Sequence, residues 1–258
     1  MNTDEIIYEI NDQIATITLN RPQARNALTF EMYDRLDEIA NELISDHSAV
    51  SAVVITGAGD KAFAAGTDIS KFRNLNTKQD ALDYESRMDR VLGSIESIPI
   101  PTIAAIRGAC TGGGAAIAAC CDLRIAAADI KFGFPIARTL GNCLSVGNLS
   151  RLCHLVGAAK TRELIFTSRL IGAEEAAKLG LVTEINSDVQ ARAIELASHM
   201  KSFAPLTLSA TKEALRRLRE HGAAVDDSDL IVQCYTSADF KEGLEAFLAK
   251  RKPDWKGC

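Results

Sequence analysis

The sequence predicts an α/β fold whose later part turns helical. Short apolar, strand-like runs alternate with amphipathic stretches through the first part of the chain. Two of those runs pass into glycine-rich turns and then into helix-like segments, the pattern of crossover α/β units. From about residue 157 onward the spacing is mainly helical.

Ile6, Tyr8 and Ile10, then Ile14, Thr16 and Thr18, alternate about a turn at Asn11–Asp12 and read as a β-hairpin ending at Arg21–Pro22. Thr29 is placed to cap a helix whose apolar positions are Leu36, Ile39, Ala40 and Leu43. Val53, Val54 and Ile55 form a short buried strand that stops at Gly57–Ala58–Gly59. A longer helix is predicted over residues 77–97, closed by Pro99 and Pro101. Residues 102–106 read as a strand, Gly112–Gly113–Gly114 as a turn into a helix of small residues, and 122–126 as the next strand. Helices are then predicted over 158–166, 173–179, 188–201, 206–221 and 239–250. The expected organisation is an α/β core over residues 1–190 and a helical extension over 191–258.

Composition narrows the function classes. The 258 residues carry a formal net charge of -5 with both signs interspersed, so no basic stripe suited to nucleic acid is present. Arg216, Arg217 and Arg219 read as a solvated helix face. The seven cysteines have neither disulfide-framework nor zinc spacing, which fits a reducing cytoplasm. The acidic start of the chain carries no apolar signal core. The apolar stretch 98–121 is broken by two prolines, Arg107 and glycines, so it reads as core and not as a membrane span. His47, His154, His199 and His221 are scattered without metal spacing.

Two segments could carry chemistry. Phe63–Ala64–Ala65–Gly66–Thr67–Asp68–Ile69 follows one strand, and Gly112–Gly113–Gly114 follows another. Glycine permits close backbone approach, and a helix start leaves N–H groups without internal partners. Two such turns facing one point would form an oxyanion hole. Each motif alone also reads as close helix packing, and neither matches a phosphate-cradling loop or a dinucleotide fingerprint.

Taken in order along nearly the whole chain, these motifs resemble the crotonase (enoyl-CoA hydratase/isomerase) superfamily. The resemblance is carried by residues 20–28 (Asn-Arg-Pro-Gln-Ala-Arg-Asn-Ala-Leu), by 63–69 and 106–115, and by 121–126 (Cys-Asp-Leu-Arg-Ile-Ala). It continues through 172–176, 179–182, and 239–243 with 247–253. It implies a superhelical core of repeated ββα turns with a helical C-terminal region that forms trimers, often paired as hexamers. It implies backbone oxyanion donors at Thr67 and Gly113. Coenzyme A would lie along Ala24, Arg25, Ala27, Ala64, Asp68 and Ile69, with Lys250 reaching its 3′-phosphate from a neighbouring subunit. No cofactor is expected beyond the coenzyme A of the substrate.

The sequence departs from the family at its two hydratase glutamates. Ala116 and Ile136 stand at those positions, and alkyl groups cannot move protons. The region 140–145 offers Asn142, Cys143 and Ser145 instead, with Cys143 a possible acid or nucleophile. Asp83, Tyr84, Glu85, Arg87 and Asp89, on the helix after Asp68, could also enter the site or be surface charges. Arg138 could pair with a substrate carboxylate or with a structural partner. The expected function is an acyl-CoA enzyme that stabilises an enolate, by isomerisation, decarboxylation, thioester hydrolysis or atypical hydration. The alternative is a catalytically silent acyl-CoA binder or a non-catalytic subunit.

Overall fold

A computed structural model describes residues 5–74 and 76–258; the first four residues of the acidic start lie outside it. The chain opens with the antiparallel pair β1 (Ile6–Asn11) and β2 (Ile14–Leu19). Its turn residues are Asp12 and Gln13, both at positive φ (47° and 61°), one position later than the sequence suggested. Two left-handed residues give a two-residue loop the twist of its flanking strands. α1 (Phe30–Ser45) starts where Thr29 accepts a hydrogen bond from the Met32 amide, and it buries Leu36, Ile39, Ala40 and Leu43.

From there each repeat sends one strand to each of two sheets. β3 (Ala52–Gly57), β5 (Thr102–Ile106) and β7 (Leu123–Ala126) extend the hairpin in parallel, and β9 (Glu184–Ile185) closes the order β1-β2-β3-β5-β7-β9. β4 (Ala62–Ala64), β6 (Ala109–Thr111) and β8 (Lys131–Gly133) form a second, three-stranded parallel sheet. The residues of β3 and β5 are buried almost throughout, as expected of parallel strands covered on both faces. The sequence reading missed the second sheet because three-residue strands are too short to show a period.

α2 (Lys78–Glu96) follows β4 and is opened by a full capping box between Thr77 and Asp80. α3 (Gly113–Cys120) follows β6, and the four-residue α4 (Ile136–Thr139) follows β8. α5 (Val146–Thr167) is two helices that meet at Gly157, whose φ of 80° and ψ of 154° are not helical; the second is the helix expected from residue 158, and the first, capped by Ser145, was not foreseen. After α6 (Ala173–Lys178), α7 (Val189–Met200) straddles residue 190 and packs on the large sheet through Val189, Ala193 and Ala197. α8 (Pro205–His221), α9 (Ser228–Tyr235) and α10 (Ala238–Leu248) complete the chain; α9 was not foreseen. No described helix is long and apolar enough to cross a membrane.

Cys110, Cys120 and Cys121 are buried free thiols, and burial pushes all three up, the last two to about 12. They pack as small apolar groups.

Candidate active site

The three strands of the small sheet run parallel, so their C-terminal ends open on one side. β4 leads into Ala65–Thr67, β6 into Gly112–Gly113 and β8 into Phe134–Ile136, and all of these line a single cavity of about 390 Å³. The carboxyl ends of parallel strands are where α/β folds build ligand sites.

Backbone contacts hold the first two turns together. Thr111 Oγ1 donates to the Ala65 carbonyl at 3.0 Å. A Cβ on Gly112 would lie 3.5 Å from the Gly66 Cα, so the two glycine turns run close together. Thr67 forms a parallel bridge with Leu28, in which the Leu28 amide donates to Gly66 O and the Asp68 amide donates to Leu28 O. That pairing uses the groups on either side of Thr67 and turns its own N–H the other way. Gly113 is the first residue of α3, where an amide has no intrahelical partner. Neither N–H meets an acceptor among the described residues.

The triple glycine serves packing and the site at once. Gly112 adopts a positive φ of 53°. A Cβ on Gly114 would meet the Ala64 carbonyl oxygen at 2.3 Å, so that position is close packing. A Cβ on Gly113 would meet the Tyr33 hydroxyl at 2.1 Å. Tyr33 Oη is hydrogen-bonded to Thr67 Oγ1 at 2.9 Å, and Thr67 Oγ1 lies 3.4 Å from Tyr84 Oη. Burial raises the pKa of both phenols, more strongly at Tyr33. They therefore stay protonated at neutral pH and add a short chain of neutral hydroxyls beside the two amides.

Sequence reasoning missed Tyr33. Its signal was its place in the first turn of α1, after the Asn20–Leu28 motif, but only the fold shows that this turn faces α3. The motif itself is explained by Asn26, which is fully buried. Its side chain accepts from the Arg21 amide and donates to the carbonyls of Ala58 and Ala62, tying the loop to the ends of β3 and β4.

The structure sorts the expected site residues into two groups. Thr67, Ile69, Gly113, Ala116, Ile136 and Cys143 line the cavity. Ala116 and Ile136 present alkyl groups to it, and no described residue hydrogen-bonds the exposed Cys143 thiol. Ala24, Arg25, Ala27, Ala64 and Asp68 do not line it. The Ala65 amide donates to Arg25 O at 3.0 Å, and Arg21 bridges Ala27 O and the Asp68 carboxylate. Asp68 accepts from the side chain and amide of Ser70 as well, and these bonds hold its carboxyl below the usual range, with Arg21 adding to the effect. Lys250 lies just beyond α10 and does not line the cavity of its own chain. Arg138 does not line the cavity. On α2 the cavity wall is Tyr84, Glu85, Met88 and Leu92, whereas Asp83 and Arg87 face a neighbouring surface groove.

An enoyl-CoA hydratase/isomerase family model matches residues 9–258. The chain belongs to the enoyl-CoA hydratase/isomerase family. Among proteins similar to it is the short-chain-enoyl-CoA hydratase of Clostridium acetobutylicum, 36% identical over 98% of this chain and 97% of that one. The crotonyl-CoA hydratase of Syntrophomonas wolfei is 36% identical over 99% of both chains. A solved structure, an enoyl-CoA hydratase/carnithine racemase from Magnetospirillum magneticum, superposes with a TM-score of 0.90 at 34% identity, covering 100% of this chain and 97% of that one. The crotonase fold expected from the sequence is thereby established for this family member.

Proposed function

We propose that the chain is an enzyme that binds an acyl-CoA thioester and stabilises its enolate through the backbone amides of Thr67 and Gly113. The observation that carries this reading is that Thr67 and Gly113, whose N–H groups meet no acceptor among the described residues, line the same largely apolar cavity. Donors fixed in a low-dielectric site stabilise a developing oxyanion without reorganising, and one such donor contributes roughly a hundred- to thousand-fold in rate. Coenzyme A enters with the substrate and no further cofactor is required. Its pantetheine and adenine would run past Ala24, Arg25, Ala27, Ala64, Asp68 and Ile69, with Lys250 of a neighbouring copy at the 3′-phosphate. A trimer or hexamer is supported by exposed apolar side chains on α9 and α10, including Val232, Tyr235, Phe247 and Leu248.

Alkyl groups at Ala116 and Ile136 argue against the two-glutamate hydration mechanism. They also favour a second reading, a silent binder of acyl-CoA. A substrate panel in heavy water, read by mass spectrometry, separates the two. Crotonyl-CoA, a 3-enoyl-CoA, a malonyl-type CoA and a saturated acyl-CoA would report hydration, isomerisation, decarboxylation, hydrolysis or α-hydrogen exchange. The expected result is turnover or exchange on at least one member. Thermal stabilisation by the thioesters without any conversion would identify a binder.

A further inference from the structure

We infer that Glu85 is the group that moves the substrate proton in this cavity, serving as the single acid-base of a 3-enoyl-CoA to 2-enoyl-CoA isomerisation. The inference rests on the acyl-CoA reading above. Glu85 is the one carboxylate that lines the cavity among the described residues. It stands on α2 three and seven residues before Met88 and Leu92, which line the same cavity, so the helical period places it on the buried side. The helix is registered against the oxyanion turn by its neighbour Tyr84, whose hydroxyl lies 3.4 Å from Thr67 Oγ1 and whose ring meets Phe72 edge-on.

The carboxylate is kept available. No described residue hydrogen-bonds or ion-pairs with Glu85, although it is only partly exposed. Asp89, one turn along α2, is held by the Ser145 hydroxyl at 2.7 Å. Burial raises the pKa of Glu85, and the negative charge of Asp89 raises it further. A carboxylate shifted this way is a stronger base when ionised and a usable acid when protonated.

One carboxylate is sufficient for this reaction. Glu85 takes a proton from C2 of the 3-enoyl thioester, and the C–H electron pair moves into the carbonyl to give a dienolate at the Thr67 and Gly113 amides. The same carboxyl group returns its proton to C4 as the electrons flow back, leaving the double bond between C2 and C3. One proton leaves and one returns, with no water, oxidant or second acid.

The test is Glu85→Gln, with Asp83→Asn as a control outside the cavity. Each is assayed on 3-hexenoyl-CoA in heavy water for double-bond migration and for deuterium at C2 and C4, which enters when the half-buried carboxyl exchanges its proton with solvent between the two transfers. Loss of at least about 100-fold in both readouts is expected for Glu85→Gln. Its melting temperature should be retained, along with its thermal shift with hexanoyl-CoA, while Asp83→Asn behaves as wild type. Wild-type rates in Glu85→Gln would overturn the inference and leave the acyl-CoA reading intact. A wild-type protein that binds the thioester but moves no proton would overturn it as well. A wild-type protein that neither binds nor converts any thioester would bring down both readings.

Discussion

Gly113→Ala is expected to reduce deuterium exchange at C2 of a bound acyl-CoA by about 100-fold or more, the scale of losing one oxyanion donor. Helix propensity alone predicts the opposite tendency, because alanine is favoured over glycine by about 1 kcal/mol inside a helix. The local geometry decides. The new methyl would sit 2.1 Å from the Tyr33 hydroxyl. Tyr33 is buried and bonded to Thr67, so it has little room to swing away. The first turn of α3 must shift instead, and it takes the Gly113 amide with it. The double variant Gly113→Ala/Tyr33→Phe removes the colliding oxygen and leaves the methyl its next contacts at 3.2 Å, with Leu28 and Thr67. It should regain a good part of the lost exchange, and Tyr33→Phe alone should lose far less than Gly113→Ala. Equal exchange in Gly113→Ala and wild type would mean that this amide does not face the thioester.

Arg124→Met is expected to cost stability more than any surface change. Arg124 is buried in β7, and its guanidinium donates to four carbonyls: Leu181 at 2.5 Å, Ala118 at 3.1 Å, Cys121 at 2.6 Å and Asp122 at 3.1 Å. Two of these, Ala118 and Cys121, belong to the end of α3, so the cation caps the negative end of the helix whose other end faces the cavity. Methionine would fill much of the volume but leave buried carbonyls unpaired, at about 1–3 kcal/mol each. A loss of about 3 kcal/mol or more follows, which corresponds to roughly 6–12 °C in Tm for a chain of this size. Arg124→Lys should fall between, since one ammonium cannot span all four carbonyls on the two segments. A Tm unchanged in Arg124→Met would mean that desolvating the guanidinium offsets everything its hydrogen bonds return.

The large sheet was legible because its strands are apolar runs bounded by turns: Val53–Ile55 before Gly57, and residues 102–106 between Pro101 and Arg107. α1 was legible from Thr29 and the spacing of Leu36, Ile39 and Leu43. β4, β6 and β8 were not, since three residues each leave no pattern. Their absence from the sequence reading hid the feature that gathers the site, the shared C-terminal edge of the small sheet. The glycine turns themselves were visible, but Tyr33 and Glu85 were not separable from ordinary helix residues. Tyr33 looked like core, and Glu85 like one charge among Asp83, Arg87 and Asp89. Only the position of α2 against Thr67 distinguishes Glu85 from its neighbours. The second half of α5 was legible from its helical spacing, and the non-helical Gly157 marks where it begins, but the half from Val146 to Gly157 was not read.

Polarisation of a thioester carbonyl by two backbone amides can be read by infrared difference spectroscopy without requiring turnover. Hexanoyl-CoA labelled with carbon-13 at the thioester carbonyl would be bound to the wild type and to Gly113→Ala, and the carbonyl stretch read from the isotope difference. The expected band is displaced to lower frequency in the wild type, with most of that displacement lost in the variant although the ligand is still bound. A bound carbonyl that absorbs where it does in water, in both proteins, would contradict the oxyanion hole and the function built on it.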